Sequence, residues 1–267
     1  MNFYKETKTF PNEKIQCQCG TVFEWEPPTM LETKDELNQW RPERCDPCQK
    51  IAAAEEEANR LAREEAKRLE DVKAKITAMI PPRFLATDID HESFNRKAWD
   101  KIRNWRPTAE KPWLGLIGDT GESKTRFSYL IAETIAMEIA ARYRGASFIF
   151  TTSQGIKDSI MQQFSKDTGP RDIWDRSSQD KARWRLESMR TCDLLMIDDL
   201  GKARATPAVA EELFSIINHR HDHNRPMIWT ANSTPEELAS HMPPDMGAPF
   251  AGRLVELSKL YSFKSPS

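Results

Sequence analysis

The middle of the chain contains an apolar run, a glycine-containing loop and an amphipathic stretch in immediate succession. The apolar run covers residues 113–117, the loop reads Gly118-Asp-Thr-Gly-Glu-Ser-Lys-Thr125, and residues 127–141 form the amphipathic stretch. A loop between a strand and a helix binds phosphate well, because backbone N–H groups converge there and the helix dipole favours an anion. The sequence therefore predicts an α/β fold with a phosphate-binding loop (P-loop), although such a loop taken alone could also arise by chance.

The residues of this loop are candidate ATP contacts. We expect Lys124 to reach the β and γ phosphates and the Thr125 hydroxyl to bind Mg²⁺. The other expected contacts are Gly118, Asp119, Thr120, Gly121, Glu122, Ser123 and Arg126. Ser123 stands where glycine is usual, and its side chain could either strain the backbone or contribute a hydroxyl contact. ATP binding is therefore expected, whereas Ser123 makes slow hydrolysis a separate hypothesis.

A second apolar run ends in two acids. It reads Leu194-Leu-Met-Ile-Asp198-Asp199, and we expect it to form a strand beside the strand that leads into the P-loop. Asp198 would then hold Mg²⁺ through water, and Asp199 would polarise the attacking water molecule. The alternative is a pair of turn-forming aspartates before Gly201. The presence of the P-loop favours the metal site.

Two further residues are candidates for catalysis. Asn232 ends the run 227–232 and could position the water between the γ phosphate and the acid. It could also cap the next turn, since Ser233-Thr-Pro-Glu is typical of a helix start, and both roles are compatible. Arg253 could act in trans on the γ phosphate of a neighbouring subunit. On spacing alone, a surface arginine without such a role explains Arg253 nearly as well.

Short apolar runs alternate with helical stretches after Pro81 and Pro82, which end the preceding helix. The runs cover residues 113–117, 147–151, 193–197, 227–230 and 260–263. This alternation is typical of parallel strands joined by helical crossovers. It predicts an α/β sheet that is covered on both faces.

A long segment without glycine or proline precedes this region. Residues 49–79 are rich in Ala, Glu, Arg, Lys and Leu, which is the composition of a helix. Pairs of an acid and a base four residues apart, such as Glu56 and Arg60, support it. Its apolar stripe drifts onto charged positions, so we favour a solvated connecting helix over a coiled coil. We therefore divide the chain into domains at residues 1–50, 51–80 and 81–267.

Four of the five cysteines form two close pairs near the beginning of the chain. Cys17 and Cys19 flank one residue, and Cys45 and Cys48 flank two. Thiolates at such spacings bind Zn²⁺ tetrahedrally and fold a segment that is too small to bury a core. We expect a zinc ribbon, the alternative being four thiols without metal. The remaining Cys192 is expected to be a buried core residue.

Charge balance and apolar patterning exclude several classes of protein. The net charge is −2 with 30% charged residues, so attraction to nucleic acid would have to come from a local basic patch. The start shows no secretory signal, and no apolar run approaches the length of a membrane helix. Paired cysteines in an odd total suit a reducing compartment. We therefore expect a cytoplasmic protein without membrane contact.

Several longer motifs resemble the DnaC/IstB family of AAA+ ATPases. They are Ile80-Pro-Pro-Arg-Phe84, Asp198-Asp-Leu-Gly-Lys-Ala-Arg-Ala-Thr206, Glu212-Leu-Phe-Ser-Ile-Ile-Asn-His-Arg220, Asn224-Arg-Pro-Met-Ile-Trp-Thr-Ala-Asn232 and Gly252-Arg-Leu-Val-Glu256. The resemblance implies a P-loop AAA+ three-layer sandwich with a parallel sheet. It further implies Walker B roles for Asp198 and Asp199, a sensor 1 role for Asn232 and an arginine-finger role for Arg253. A clear sensor 2 helix is missing.

The resemblance also implies a function and partners. Members of the family load replicative helicases onto DNA or assist transposases, and those of phages and prophages commonly serve replication. We expect a helicase loader of that type, an oligomer that uses ATP and Mg²⁺ to place a hexameric replicative helicase on single-stranded DNA. The N-terminal region is the candidate helicase-binding part, although a ribbon can equally bind single-stranded DNA. A transposition helper, or an adaptor that binds nucleotide without hydrolysing it, remains an alternative.

Overall fold

The computed structural model describes residues 10–31, 33–92, 94–121, 123–164, 177–202 and 206–263. The chain divides into two compact units, one up to residue 68 and the other from residue 69 onward. The predicted domains at residues 1–50, 51–80 and 81–267 have other boundaries and stay a prediction.

The first unit contains a hairpin and a short helix. Strands β1 (Glu13–Gln16) and β2 (Val22–Trp25) pair in antiparallel register. Helix α1 (Lys34–Trp40) begins with a capping box, in which the Thr33 hydroxyl accepts the N–H of Glu36 and the Glu36 carboxylate accepts the N–H of Thr33. These exchanged hydrogen bonds fix the start of α1.

The core of this first unit is small. Among the described residues before 69, the buried apolar ones are Ile15, Cys17, Leu31 and Cys45. So few buried side chains offset little of the conformational entropy of folding, and units of this size usually need a metal, a disulfide or a partner. Half of this core consists of cysteines, which makes the cysteine cluster the natural source of stability.

The long predicted helix is present as α2 (Asp46–Met79), which begins ahead of the predicted start. Most of its residues are exposed to solvent. Arg60 pairs with Glu57 and Glu64 rather than with the predicted Glu56. Positions three and four residues apart lie on the same face of a helix, so either spacing allows an ion pair.

The second unit continues with eight helices and five strands in the part of the chain that the structure describes. In chain order they are α3 (Pro82–Leu85), α4 (Arg96–Ile102), β3 (Trp113–Gly118), α5 (Lys124–Arg142), β4 (Phe148–Thr152), α6 (Ser153–Gln163), α7 (Ser178–Thr191), β5 (Leu194–Asp198), α8 (Pro207–Asp222), β6 (Met227–Ala231), α9 (Pro235–Ala239), α10 (Pro244–Leu257) and β7 (Ser258–Phe263). All five predicted strands are present. None of the described helices combines the length and the apolar character that crossing a membrane requires.

The five strands form one parallel sheet in the order β4-β5-β6-β3-β7. The prediction that the acidic strand lies beside the P-loop strand is wrong, because β6 separates β5 from β3. The P-loop and the acids can still meet, since parallel strands present their carboxyl ends at one edge of the sheet. The strand that carries Asn232 at its end therefore occupies the middle of the site.

The sheet has a hydrophobic core on each face, which gives the predicted three-layer sandwich. On one face Leu114 and Leu116 of β3 pack with the apolar side of α5. On the other face Trp113 and Ile117 pack with residues of α6, α7, α8 and α10. Alternate side chains of a strand point to opposite faces, so the apolar runs serve both cores.

Gly115 lies in the middle of β3, where a glycine weakens a strand unless space requires it. A Cβ atom there would lie 2.5 Å from the Trp229 ring of β6 and 2.6 Å from Leu260 of β7. The indole of Trp229 therefore fills the space above Gly115. This packing joins the three strands that surround the P-loop.

Candidate nucleotide-binding site and cysteine cluster

The P-loop joins the end of β3 to the start of α5, as predicted. Gly118 has a φ of 154°, and a Cβ atom on it would overlap the carbonyl oxygen of Phe263 in β7. The described loop residues Thr120, Gly121 and Ser123 line an open cleft of about 610 Å³. Glu122, a predicted contact, lies outside the described residues.

Ser123 has a left-handed backbone conformation, with φ 61° and ψ 11°. It occupies the N-cap position of α5, but its side chain makes no capping hydrogen bond there. The left-handed region costs residues other than glycine about 1 to 2 kcal/mol, because Cβ approaches the following carbonyl oxygen. The predicted alternative of backbone strain at Ser123 therefore has a structural basis.

Lys124 and Thr125 begin α5 and face the site. Lys124 is buried, and its Nζ donates to the carbonyl oxygen of Asp119 at 2.7 Å. The Thr125 hydroxyl donates to Oδ1 of Asp198 at 2.8 Å. Arg126 lines the cleft beside them. The structure thus brings the predicted lysine, hydroxyl and acid together at one edge of the sheet.

The two acids have different surroundings. Asp198 is buried, which raises the pKa of its carboxyl, while hydrogen bonds from the Thr230 and Thr125 hydroxyls lower it. Asp199 has φ 54°, and its Oδ2 accepts a hydrogen bond from Lys202 Nζ at 2.8 Å. The ion pair with Asp199 raises the pKa of Lys202. Asp199 is therefore the more accessible acid, restrained by a neighbouring cation.

Asn232 connects the end of β6 to the P-loop. Its Nδ2 donates to the Thr120 hydroxyl at 3.4 Å, and Asn232 lines the same cleft as Lys124 and Asp199. The Thr234 hydroxyl, not Asn232, caps α9 by accepting the N–H of Glu237. The cap of α9 is therefore Thr234, and the side chain of Asn232 faces the P-loop across the cleft.

Some lining residues were not predicted as site residues. Arg83 and Phe84 of α3 and Lys202 all line the cleft. The Arg83 guanidinium lies 4.5 Å from the centre of the Phe84 ring, and that ring stacks on Tyr129 at 5.2 Å. The motif from Ile80 to Phe84 was noticed only as part of the resemblance. The Arg-Phe pair next to two prolines was the sequence feature that could have identified Arg83 and Phe84 as site residues.

Arg253 lies apart from this group in α10. Its guanidinium is 4.9 Å from the centre of the Phe214 ring, and Nη1 donates to the carbonyl oxygen of Pro249 at 3.1 Å. Arg253 is not among the described residues that line the cleft of its own chain. A role in trans, in the cleft of a neighbouring subunit, stays a prediction.

The oxygen donors in and directly beside the cleft suit Mg²⁺. This ion prefers oxygen ligands and usually binds through one or two carboxylates, with water and phosphate completing its shell. The Thr125 hydroxyl and the Asp198 carboxylate lie in direct contact, and the Asp199 carboxylate follows in the chain. The chemistry of these residues therefore fits the predicted metal.

The four clustered cysteines are brought together in the first unit. The Sγ atoms of Cys17, Cys19, Cys45 and Cys48 all lie within 4.8 Å of one another. Cys19 and Cys45 have their Sγ atoms 3.7 Å apart. Tetrahedral zinc with Zn–S bonds of about 2.3 Å requires S···S distances of about 3.8 Å. The arrangement fits a four-sulfur zinc site.

The backbone around the first cysteine pair also suits a metal knuckle. The N–H of Cys17 donates to the Thr21 carbonyl oxygen at 2.8 Å, and the N–H of Gly20 donates back to the Cys17 carbonyl oxygen at 2.9 Å. Hydrogen bonding to Thr21 lowers the pKa of the Cys19 thiol to about 6, whereas the neighbouring thiols raise the pKa of Cys48 to about 12. The four thiols therefore differ in how easily they ionise, and the support for zinc comes from the positions of the sulfur atoms.

Comparison with known proteins finds similarity to proteins of DNA replication. Residues 115–244 match the family model described as the bacterial DnaA ATPase domain. The chromosomal replication initiator protein DnaA of Wolinella succinogenes is 25% identical over 170 residues, which are 62% of this chain and 34% of that protein. The replicative helicase loader DnaI of Bacillus subtilis is 23% identical over 145 residues, 53% of this chain and 40% of that protein.

Among solved structures, the DnaC helicase loader superposes with a TM-score of 0.47 at 20% identity, over 69% of this chain and all of that chain. This chain spans only 34% and 40% of the length of the two curated relatives. The region matched by the family model contains the P-loop, the acidic pair and Asn232. The family model and the helicase-loader relative confirm the resemblance that the motifs predict. Residues 115–244, which the family model matches, include neither the four clustered cysteines nor Arg253.

We predict that the purified chain contains about one zinc ion, held by four thiolates. Cys45→Ser should remove most of it, because three thiolates hold the metal less tightly. Cys192→Ala is the matched control, since Cys192 is buried outside the cluster. Metal content is measured by elemental analysis. Equal zinc in both variants, or none in the unchanged chain, would contradict the prediction.

We also predict that Ser123→Gly stabilises the second unit by about 0.5 to 1 kcal/mol, because glycine adopts a positive φ without the Cβ penalty, less its own cost in chain entropy. Ser188→Gly in the interior of α7 is the control and should destabilise by about 0.5 kcal/mol. The free energies of unfolding are compared in urea. Destabilisation by both variants would show that Ser123 is not strained.

Proposed function

We propose that this chain, a DnaC/IstB-like AAA+ protein, uses ATP to place a ring-shaped replicative helicase on single-stranded DNA. One observation carries the ATPase part of the proposal, namely the hydrogen bond from Thr125 of the P-loop helix to the buried Asp198 at 2.8 Å. It assembles a phosphate-binding loop and a metal-binding acid into one site. The replicative part rests on the matched relatives, a replication initiator and a replicative helicase loader.

The residues of the cleft have distinct roles in this proposal. Lys124 and the loop N–H groups bind the β and γ phosphates and neutralise their charge. Thr125 and Asp198 hold Mg²⁺, which when bound draws charge from the phosphate oxygens. Asp199 orients the attacking water and accepts its proton, and Asn232 fixes the position of that water. Arg253 of one subunit would stabilise the γ phosphate in the cleft of the next.

The first unit is the proposed contact with the helicase. Its small core depends on the cysteine cluster, so metal binding would present a rigid hairpin and α1 to the partner. One chain has a net charge of −2, so it has no overall attraction to the phosphates of DNA. Single-stranded DNA would therefore bind weakly and through several subunits. Assembly into an oligomer on ATP or DNA, and action in the cytosol where thiols stay reduced, complete the proposal.

The left-handed Ser123 favours a second candidate, an adaptor that binds nucleotide without turning it over. A side chain at this position stands where the backbone must approach phosphate closely. The fold and Lys124 would then serve only to bind the nucleotide. A change of conformation on ATP binding would alter how the chain binds its protein partner. Turnover that depends on Lys124 distinguishes the enzyme from the adaptor.

We predict that Lys124→Ala reduces phosphate release to the rate without protein, because the buried Nζ is the group that neutralises the phosphates. Lys97→Ala, an exposed lysine of α4, is the matched control and should leave the rate unchanged. Release is measured with and without single-stranded DNA, which should increase it for the unchanged chain. Absence of lysine-dependent release, with ATP still bound, would establish the adaptor.

We further predict that the full chain binds a hexameric replicative helicase and that Cys45→Ser weakens this binding about tenfold or more, since the first unit loses its metal. Lys97→Ala again serves as control. Affinity is measured by biolayer interferometry with the helicase immobilised. Binding to a transposase in place of the helicase would show that the chain is a transposition helper.

A further inference from the structure

Thr230, a residue of β6, contacts three consecutive residues at the end of β5. Its hydroxyl donates to Oδ1 of Asp198 at 2.6 Å and accepts the N–H of Asp199 at 2.9 Å. Its carbonyl oxygen accepts the N–H of Leu200 at 2.7 Å. Thr230 is fully buried. The side chain and the backbone of one residue in the neighbouring strand therefore hold the turn that carries both acids.

The hydroxyl of Thr230 can make these contacts in one orientation. A threonine hydroxyl has a single proton to donate and two lone pairs that accept. Asp198 offers an acceptor and the Asp199 N–H offers a donor, so the proton points to Asp198 and a lone pair faces Asp199. One hydroxyl therefore couples the orientation of the first acid to the backbone of the second.

The backbone of Asp199 needs such support, because its φ of 54° lies in the left-handed region. Its N–H is held by Thr230, and its carbonyl oxygen accepts a hydrogen bond from the Ser153 hydroxyl at 2.6 Å. Ser153 and Thr230 are both buried. Conformations of this kind persist where the surroundings fix them on more than one side, as they do here.

The position of β6 extends this coupling to the P-loop. Asn232 follows Thr230 by one strand period and donates to the Thr120 hydroxyl. Thr125, at the other end of the loop, donates to the same Asp198 Oδ1 that Thr230 contacts. Oδ1 of Asp198 thus accepts hydrogen bonds from a hydroxyl of α5 and from a hydroxyl of β6. These two bonds fix the orientation of the carboxylate.

We infer that Thr230 is a positioning residue for ATP hydrolysis, whose hydroxyl orients Asp198 as a metal ligand and Asp199 as the acid that polarises water. The inference rests on the proposed ATPase function. It differs from that function in naming a fully buried residue that is not among the described residues lining the cleft. Removing the hydroxyl alone should therefore lower kcat while leaving the P-loop able to bind ATP.

Thr230→Val tests this directly, because valine has the shape of threonine and lacks the hydroxyl. The bond from the Leu200 N–H to the residue 230 carbonyl oxygen is kept. We expect kcat to fall about tenfold or more and KM for ATP to change by less than about threefold. Thr230→Ser, which keeps the hydroxyl, should restore kcat to within about threefold of the unchanged chain.

Thr151→Val provides the matched control. Thr151 is a buried threonine of β4 whose hydroxyl donates to the carbonyl oxygen of Thr152 at 3.4 Å. It should keep the original kcat. Should Thr230→Val fail to fold by circular dichroism, Thr230→Ala is measured with the same expected loss. Equal losses in the valine and serine variants, or a valine variant with the original kcat, would overturn the inference.

A second measurement does not depend on hydrolysis. The affinity for Mn²⁺ in the presence of a non-hydrolysable ATP analogue is followed by electron paramagnetic resonance. We expect Thr230→Val to weaken it about tenfold, since residues that orient a metal ligand typically contribute that much. If the unchanged chain hydrolyses no ATP, the proposed ATPase activity is wrong. The Mn²⁺ affinity still decides whether Thr230 orients the metal ligand Asp198. Unchanged Mn²⁺ affinity in Thr230→Val would overturn it.

Discussion

The hydrogen bond between Thr125 and Asp198 is the contact on which the rest of the site depends. It joins the first turn of α5, the helix that follows β3, to the last residue of β5, a strand that β6 separates from β3 in the sheet. A carboxylate buried at this depth would be costly without compensation, and burial does raise the pKa of Asp198. Two hydroxyl donors offset that cost and at the same time fix the direction of the oxygen atoms. Stability and function therefore require the same geometry at this residue.

The middle strand of the sheet, β6, holds the geometry around Asp198 in place. β6 lies between the P-loop strand and the acidic strand, and its apolar residues pack into the cores on both faces of the sheet. The indole N–H of Trp229 donates to the Ser258 hydroxyl at 2.9 Å, and the ring occupies the space above Gly115. A strand held so firmly can present Thr230 and Asn232 at fixed positions. The polar ends of the strands are thus positioned by the packing of their apolar parts.

Much of this architecture could be predicted from the sequence, because apolar runs and helical periodicity are local signals. The strand order could not, since the run ending at Asp198 fits either side of β6 until the whole sheet is assembled. Thr230 was overlooked for a related reason: threonine is common in strands, and nothing local distinguishes a hydroxyl that contacts two acids. Lys202 lies in a loop and Arg83 in the short helix α3, and tertiary packing decides whether their side chains face the cleft. The cysteine cluster was predictable because metal ligands must converge.

The close approach of Gly118 to Phe263 has a consequence for the boundary of the nucleotide site. β7 is an edge strand that pairs with β3, and its last residue lies directly behind the first glycine of the P-loop. None of the six residues of β7, all of which the structure describes, lines the cleft. The strand nevertheless serves as the rear wall of the loop. A substitution that separates β7 from β3 would let the P-loop move toward the space that β7 occupies, away from the phosphate side of the loop. No residue that faces the ligand would be changed.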